Sequence, residues 1–126
     1  MIAINYQDSR PIYEQIAAQY KKLILRGDLL PGEKMPSVRS VAMALAANPN
    51  TVQKAFAELE RSGFIYPVRG RGNFVAENGA LLQKKRQDVL RSLTEVLSEA
   101  DELGLDASLL AREALDLLAG RKDTQV

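Results

Sequence analysis

The chain of 126 residues contains no cysteine, no histidine and no tryptophan, and its aromatic side chains number four Tyr and three Phe. Without cysteine there is no disulfide scaffold and no thiolate nucleophile. Without histidine there is no imidazole base near neutral pH, and the commonest nitrogen ligand of zinc, copper and haem is missing. No cofactor and no metal are therefore expected. An enzyme would need a convergent acid-base or nucleophilic cluster, and Glu33, Ser37, Glu58 and Glu60 show no such arrangement in sequence. No apolar run approaches the roughly 18 residues of a membrane helix, and the stretch MIAINYQDSRP lacks a basic patch followed by an apolar core. The expectation is a soluble, cytoplasmic, non-enzymatic chain with no membrane partner, long enough for a small domain with an appendage.

The net charge of +1 is uninformative, but its distribution is not. Residues 1–75 carry ten Lys and Arg against six Asp and Glu, a net +4, whereas the remainder carries seven against ten, a net −3. A basic half joined to an acidic half suggests that the first half alone faces a polyanion; ordinary solvated surfaces would give the same imbalance by chance.

Pro11 opens a helical pattern in which Ile12, Ile16, Tyr20, Leu23 and Ile24 share a face, and Gly27 stands where a C-terminal cap belongs. After the turn-rich GDLLPGEKMPS, Ser37 is placed to cap a short helix with Val38, Val41, Ala42, Leu45 and Ala46 on its apolar side, and Arg39 and Ser40 outward. Asn48 and Pro49 then start a third helix that runs to about Ser62. Its Val52, Ala55, Phe56 and Leu59 face a core, which leaves Asn50, Thr51, Gln53, Lys54 and Ala57 outward. Two short helices in close succession, the second presenting small polar side chains from its first turns, have the pattern of a helix-turn-helix.

A strand-like run Phe64 to Val68, the basic turn Arg69-Gly70-Arg71-Gly72 and a second run Asn73 to Val75 predict a hairpin whose glycines permit close backbone approach. From Glu77 the composition changes, and Asn78-Gly79 marks a break before a long helix. Val89, Leu93, Val96, Ala100 and Leu103 form a heptad-like seam widened by Leu90 and Leu97. Gly104 interrupts, Asp106 can cap a further helix carrying Leu109, Leu110, Ala114, Leu117 and Leu118, and the tail from Gly120 reads as frayed. Two such helices cannot bury both seams against each other, so they pack either on a partner or on the chain's own first half.

The stretches Pro11-Ile12-Tyr13-Glu14-Gln15-Ile16, Leu30 to Arg39, Asn48 to Phe56, Leu59-Glu60 and Arg69 to Val75, in this order, resemble the GntR-type bacterial regulators and, within them, the short YtrA-like group. The resemblance implies a mainly α fold with a small β-hairpin: an N-terminal winged helix-turn-helix over 1–76 and a short C-terminal two-helix dimerisation segment over 77–126. It further implies operator binding as a homodimer, usually in repression and often beside transporter genes. The remaining length is too short for the ligand-sensing domains of other subgroups. The chain departs from the wider family pattern at Pro49 and Gln53, where many members carry Arg, and at Ser40, where a Glu often completes a capping box with Ser37.

The candidate DNA-binding residues are Ser37, Arg39, Asn50, Thr51, Gln53, Lys54, Arg69, Gly70, Arg71 and Gly72. The amide of Gln53, and next that of Asn50, suits an adenine edge; Thr51 suits a phosphate or a thymine methyl; Lys54 suits a phosphate. Arg39 suits the backbone or a guanine, and Arg69 and Arg71 suit phosphates or a narrow minor groove. Singly, each has an ordinary reading as cap, solvated face or turn. The candidate dimerisation residues are Val89, Leu93, Val96, Leu97, Ala100, Leu109, Leu110 and Leu117. A winged helix used as a protein adaptor is the main rival to the reading as an operator-binding repressor. RNA binding is disfavoured because the wing lacks exposed aromatics for stacking. A small-molecule effector in a crevice between the two parts is a further expectation, which no residue cluster compels.

Overall fold

The computed structural model describes residues 2–124, and it divides into two compact units at the boundary between Leu82 and Gln83. In the first unit, α1 (Ile12–Arg26) follows Pro11, whose φ of −53° already suits a helix start. It ends at Gly27, where φ reaches +82° and the Gly27 amide bonds the Ile24 carbonyl at 3.1 Å. Its buried stripe of Ile16, Ala17, Tyr20 and Ile24 lies against α3.

Helix α2 (Val38–Leu45) is capped by the Ser37 hydroxyl, which accepts from the Ser40 amide at 3.0 Å. In place of a glutamate, Ser40 donates its own hydroxyl to the Ser37 carbonyl at 2.9 Å. Helix α3 (Pro49–Arg61) is capped by Asn48, whose side chain accepts from the Asn50 amide at 2.8 Å, with Pro49 in the first turn where no amide is needed. The sequence reading put Ala46 on the apolar face of α2. Instead Ala46 is exposed and ends that helix in the left-handed region, with φ 52° and ψ 40°. The Ala47 amide then reaches the Ala42 carbonyl at 2.9 Å, which closes the tight turn between the two helices.

The hairpin is antiparallel, β1 (Ile65–Val68) with β2 (Gly72–Val75), in the register Ile65 opposite Val75 and Val68 opposite Gly72. Residues 32–35, which the sequence reads as turn, also pair with β2. The Gly32 amide bonds the Val75 carbonyl, Val75 the Glu33 carbonyl and Met35 the Asn73 carbonyl, each at 2.8 Å, and Lys34 bridges to Phe74. β2 is thus flanked on both sides, and Pro67 sits on the outer strand, where a missing N–H is tolerated. Phe56, Ile16, Ile24, Leu59, Val52 and Val75 are fully enclosed, and Tyr20 meets Phe56 edge-on at 5.8 Å between ring centroids.

The long helix α4 (Gly79–Glu102) starts at the break expected at Asn78-Gly79, and its first turn belongs to the first unit, where Leu81 packs on the core. It stops at Gly104, where φ is +75° and the Leu105 amide bonds the Ala100 carbonyl at 2.9 Å. Helix α5 (Ala107–Thr124) is capped by Asp106, which accepts from the Leu109 amide at 3.1 Å. The frayed tail expected from Gly120 is not seen: the helix passes through Gly120 to Thr124. The mid-helix glycine costs about 1 kcal/mol, and Arg121 and Lys122 sit in the last turn where the helix dipole favours cations. Helices α4 and α5 do not pack along their lengths.

Candidate nucleic-acid interface

Every polar or basic residue singled out in the first unit lies on its surface. Arg39 projects from the first turn of α2; Asn50, Gln53 and Lys54 are exposed along the start of α3, and Thr51 is half-buried between them. The burial of Val52, Ala55, Phe56 and Leu59 forces this presentation, because a helix that turns those four inward turns the intervening residues out. Arg69, Gly70 and Arg71 form the hairpin tip, which closes through the Arg71 amide on the Val68 carbonyl at 2.9 Å. Gly70 has φ +76° and Gly72 φ +106°, a region that favours glycine, and a Cβ at Gly72 would lie 3.3 Å from the Lys34 side chain.

Ser37 differs from the others, since its hydroxyl is already committed to Ser40 as cap acceptor and donor. Lys54 is also engaged: its ammonium lies 4.1 Å above the centre of the Tyr13 ring on α1. The segment that leads into α2 is tied to the hairpin, because Lys34 and Met35 pair with Phe74 and Asn73 just before Ser37 caps the helix. The N-terminus of α2 and the base of the hairpin are therefore one connected structure.

The cations of this unit sort into two groups. Arg10 bonds Asp8 at 2.8 Å, Arg26 meets Asp28 at 3.4 Å, and Glu58 takes both Arg61 at 2.7 Å and Lys21 at 3.6 Å. The hydrogen bonds from Arg61 hold the Glu58 carboxyl below the ordinary carboxylate range, and those from Arg10 do the same for Asp8. By contrast, Arg39, Arg69, Arg71 and Lys34 have no acidic partner among the described residues. Lys34 escaped the sequence reading because it stands in a stretch that reads as turn; the only clue was its place next to the buried Met35. The unpaired cations occupy the helix start and the hairpin, and the paired ones lie elsewhere, so local fields cancel away from that surface and persist on it.

In the second unit Val89, Leu93, Val96, Leu109 and Leu117 are more than half exposed, Leu110 is at 36 %, Leu97 is half-buried and Ala100 is buried. Leu103, Leu105 and Leu115 add further exposed apolar surface. Among the described residues no three Asp or Glu side chains cluster as metal ligands, and no helix is long and apolar enough to cross a membrane.

Known proteins resemble this arrangement over its whole length. The family described as bacterial regulatory proteins, gntR family, matches residues 12–75. The HTH-type transcriptional repressor YtrA of Bacillus subtilis (strain 168) is 44% identical over 112 residues, which cover 87% of this chain and 86% of that protein. A GntR family transcriptional regulator from Listeria monocytogenes has a solved structure that superposes with a TM-score of 0.70 at 36% identity, over 86% of this chain and 96% of that one. A crystal structure of AraR(DBD) in complex with operator ORX1 superposes with a TM-score of 0.54 at 28% identity, over 60% of this chain and 95% of that one. With its winged helix-turn-helix, the chain belongs to the GntR family of bacterial transcription regulators, in its YtrA-like group, and is not an enzyme.

Proposed function

We propose that the chain is a cytoplasmic repressor that binds an inverted-repeat operator in double-stranded DNA as a homodimer, with the first 76 residues reading DNA and the remainder pairing two copies. The observation that carries this reading is the segregation of unpaired cations, Arg39, Arg69 and Arg71, onto the α2 start and hairpin tip. They flank a recognition helix whose first turns are polar and exposed. The operator complex of AraR(DBD) and the repressor named YtrA support the same direction.

In this reading α3 enters the major groove by its N-terminus. Gln53 pairs with an adenine edge, Asn50 supports it, and Thr51 touches phosphate or a thymine methyl. Arg39 and Lys54 neutralise phosphates. Arg69 and Arg71 follow the backbone or the minor groove, with Gly70 and Gly72 allowing the approach. Ser37 contributes as the cap that fixes Arg39 in place. The exposed leucines of α4 and α5 support pairing through Val89, Leu93, Val96, Leu97, Leu109, Leu110 and Leu117, and the buried Ala100 contributes less.

Selection from a random duplex pool with the full chain, followed by anisotropy on the enriched duplex across a salt series, tests the proposal. The expected outcome is an inverted repeat with a log–log salt slope on the order of −5 to −7 for four phosphate contacts per subunit. Recovery of no enriched sequence and no salt-sensitive affinity would favour the adaptor reading.

A further inference from the structure

The extended segment before α1 is held by two glutamines one helical turn apart. The Gln19 side chain accepts from the Ala3 amide at 2.9 Å and donates to the Ala3 carbonyl at 2.6 Å. The Gln15 side chain does the same to Asn5, at 2.9 and 3.0 Å, and also donates to the Arg10 carbonyl at 3.1 Å. These amides take the place of a neighbouring strand, and they seat Ile2 against the core cluster.

Ile2, so placed, forms one wall of a cavity of about 500 Å³ whose other walls are Leu23 and Leu29 beyond α1 and Val41, Ala44 and Leu45 of α2. The volume lies within the roughly 300–1,000 Å³ of small-molecule sites, and no charged side chain lines it. Two side-chain hydroxyls border it. That of Ser40 is occupied by Ser37. That of Tyr20 has no hydrogen-bond partner among the described residues, although the residue is only 5% exposed. Buried phenols ordinarily find a partner, and burial raises the ionisation of Tyr20 further, so it remains a donor at neutral pH.

We infer that the cavity beside Tyr20 binds a small, uncharged, largely apolar molecule that offers one acceptor oxygen to the Tyr20 hydroxyl, with the N-terminal segment as its wall. The inference does not depend on the DNA-binding reading, and its test contains no DNA.

The probe is camphor, a compact apolar ketone, titrated into the full chain with isotope-labelled Ile, Leu and Val methyls. Saturable shifts are expected at Ile2, Leu23, Val41 and Leu45. Tyr20→Phe, which keeps the ring against Phe56, should weaken binding by about three- to tenfold, the worth of one neutral hydrogen bond. Ala44→Met on the exposed rim of α2 should abolish binding with the methyl spectrum otherwise intact, and this variant carries the test should Tyr20→Phe not fold. The proposal is overturned by unresponsive groove methyls, by shifts confined to the leucines of α4 and α5, or by unchanged affinity in both variants.

Discussion

The two units of this chain handle apolar and charged groups in opposite ways. The first encloses Ile16, Ile24, Val52, Phe56, Leu59 and Val75 completely and leaves its unpaired cations on the helix start and hairpin. The second leaves Val89, Leu93, Val96 and Leu117 more than half exposed on helices that do not pack along their lengths. A closed core supports folding of a unit by itself, whereas a row of solvent-facing leucines supports folding completed by association. On this comparison, damage to the first unit should appear as unfolding or lost DNA affinity, and damage to the second as lost pairing.

The largest effect expected is from Leu93→Asp. It removes a leucine worth about 2 kcal/mol of burial and places a carboxylate in an apolar contact, twice in a symmetric dimer. Sedimentation equilibrium should show dimer dissociation strengthened on the order of a thousandfold, with the helix signal of the first unit retained; an intact dimer would move the interface elsewhere. Next is Phe56→Ala, which opens a cavity against Tyr20 and should cost about 3–5 kcal/mol of stability in denaturant titration. A loss under 1 kcal/mol would mean that the core is looser than its burial indicates.

Arg71→Ala should weaken operator binding by about tenfold and flatten the salt slope by roughly two in the dimer, about one per lost phosphate contact. Arg61→Ala serves as the contrast, because its guanidinium is already taken by Glu58 and the slope should stay the same. Equal slopes in the two variants would erase the distinction between paired and unpaired cations. Ala46→Gly should stabilise the first unit by about 0.5 kcal/mol, since glycine adopts the left-handed turn without the Cβ penalty; a lowered melting temperature would contradict this. The smallest effect concerns Glu58. Its folded pKa is depressed, so its contribution is present above the ordinary carboxylate range and is lost as the pH falls through the depressed value. Glu58→Gln should therefore flatten the acid limb of the stability profile, and an unchanged limb would assign that titration to other carboxylates.

Most helix boundaries were legible in the sequence because they depend on local chemistry: Gly27, Ser37, Asn48-Pro49, Gly104 and Asp106 each act within four residues of themselves. The hairpin was legible for the same reason. The pairing of residues 32–35 with β2 was not, since it depends on a contact some forty residues away in a stretch rich in Pro and Gly. Ala46 misled because alanine favours a helix interior, and the closing turn overrode that preference. For the candidate site, outward placement followed from helical periodicity, but charge state did not. Nothing local distinguishes Arg61 from Arg71, and only the fold brings Glu58 to the first and leaves the second free. The engagement of Lys54 with Tyr13, and the role of Gln15 and Gln19 in holding Ala3 and Asn5, likewise depend on tertiary proximity.

The division of labour between a DNA-reading unit and a pairing unit is tested most directly by the stoichiometry of the wild-type chain on its selected duplex, measured by sedimentation velocity. Two chains on one symmetric duplex, reduced to single chains on single half-sites by Leu93→Asp, is the result predicted. A single wild-type chain bound to an asymmetric site with undiminished affinity would contradict it.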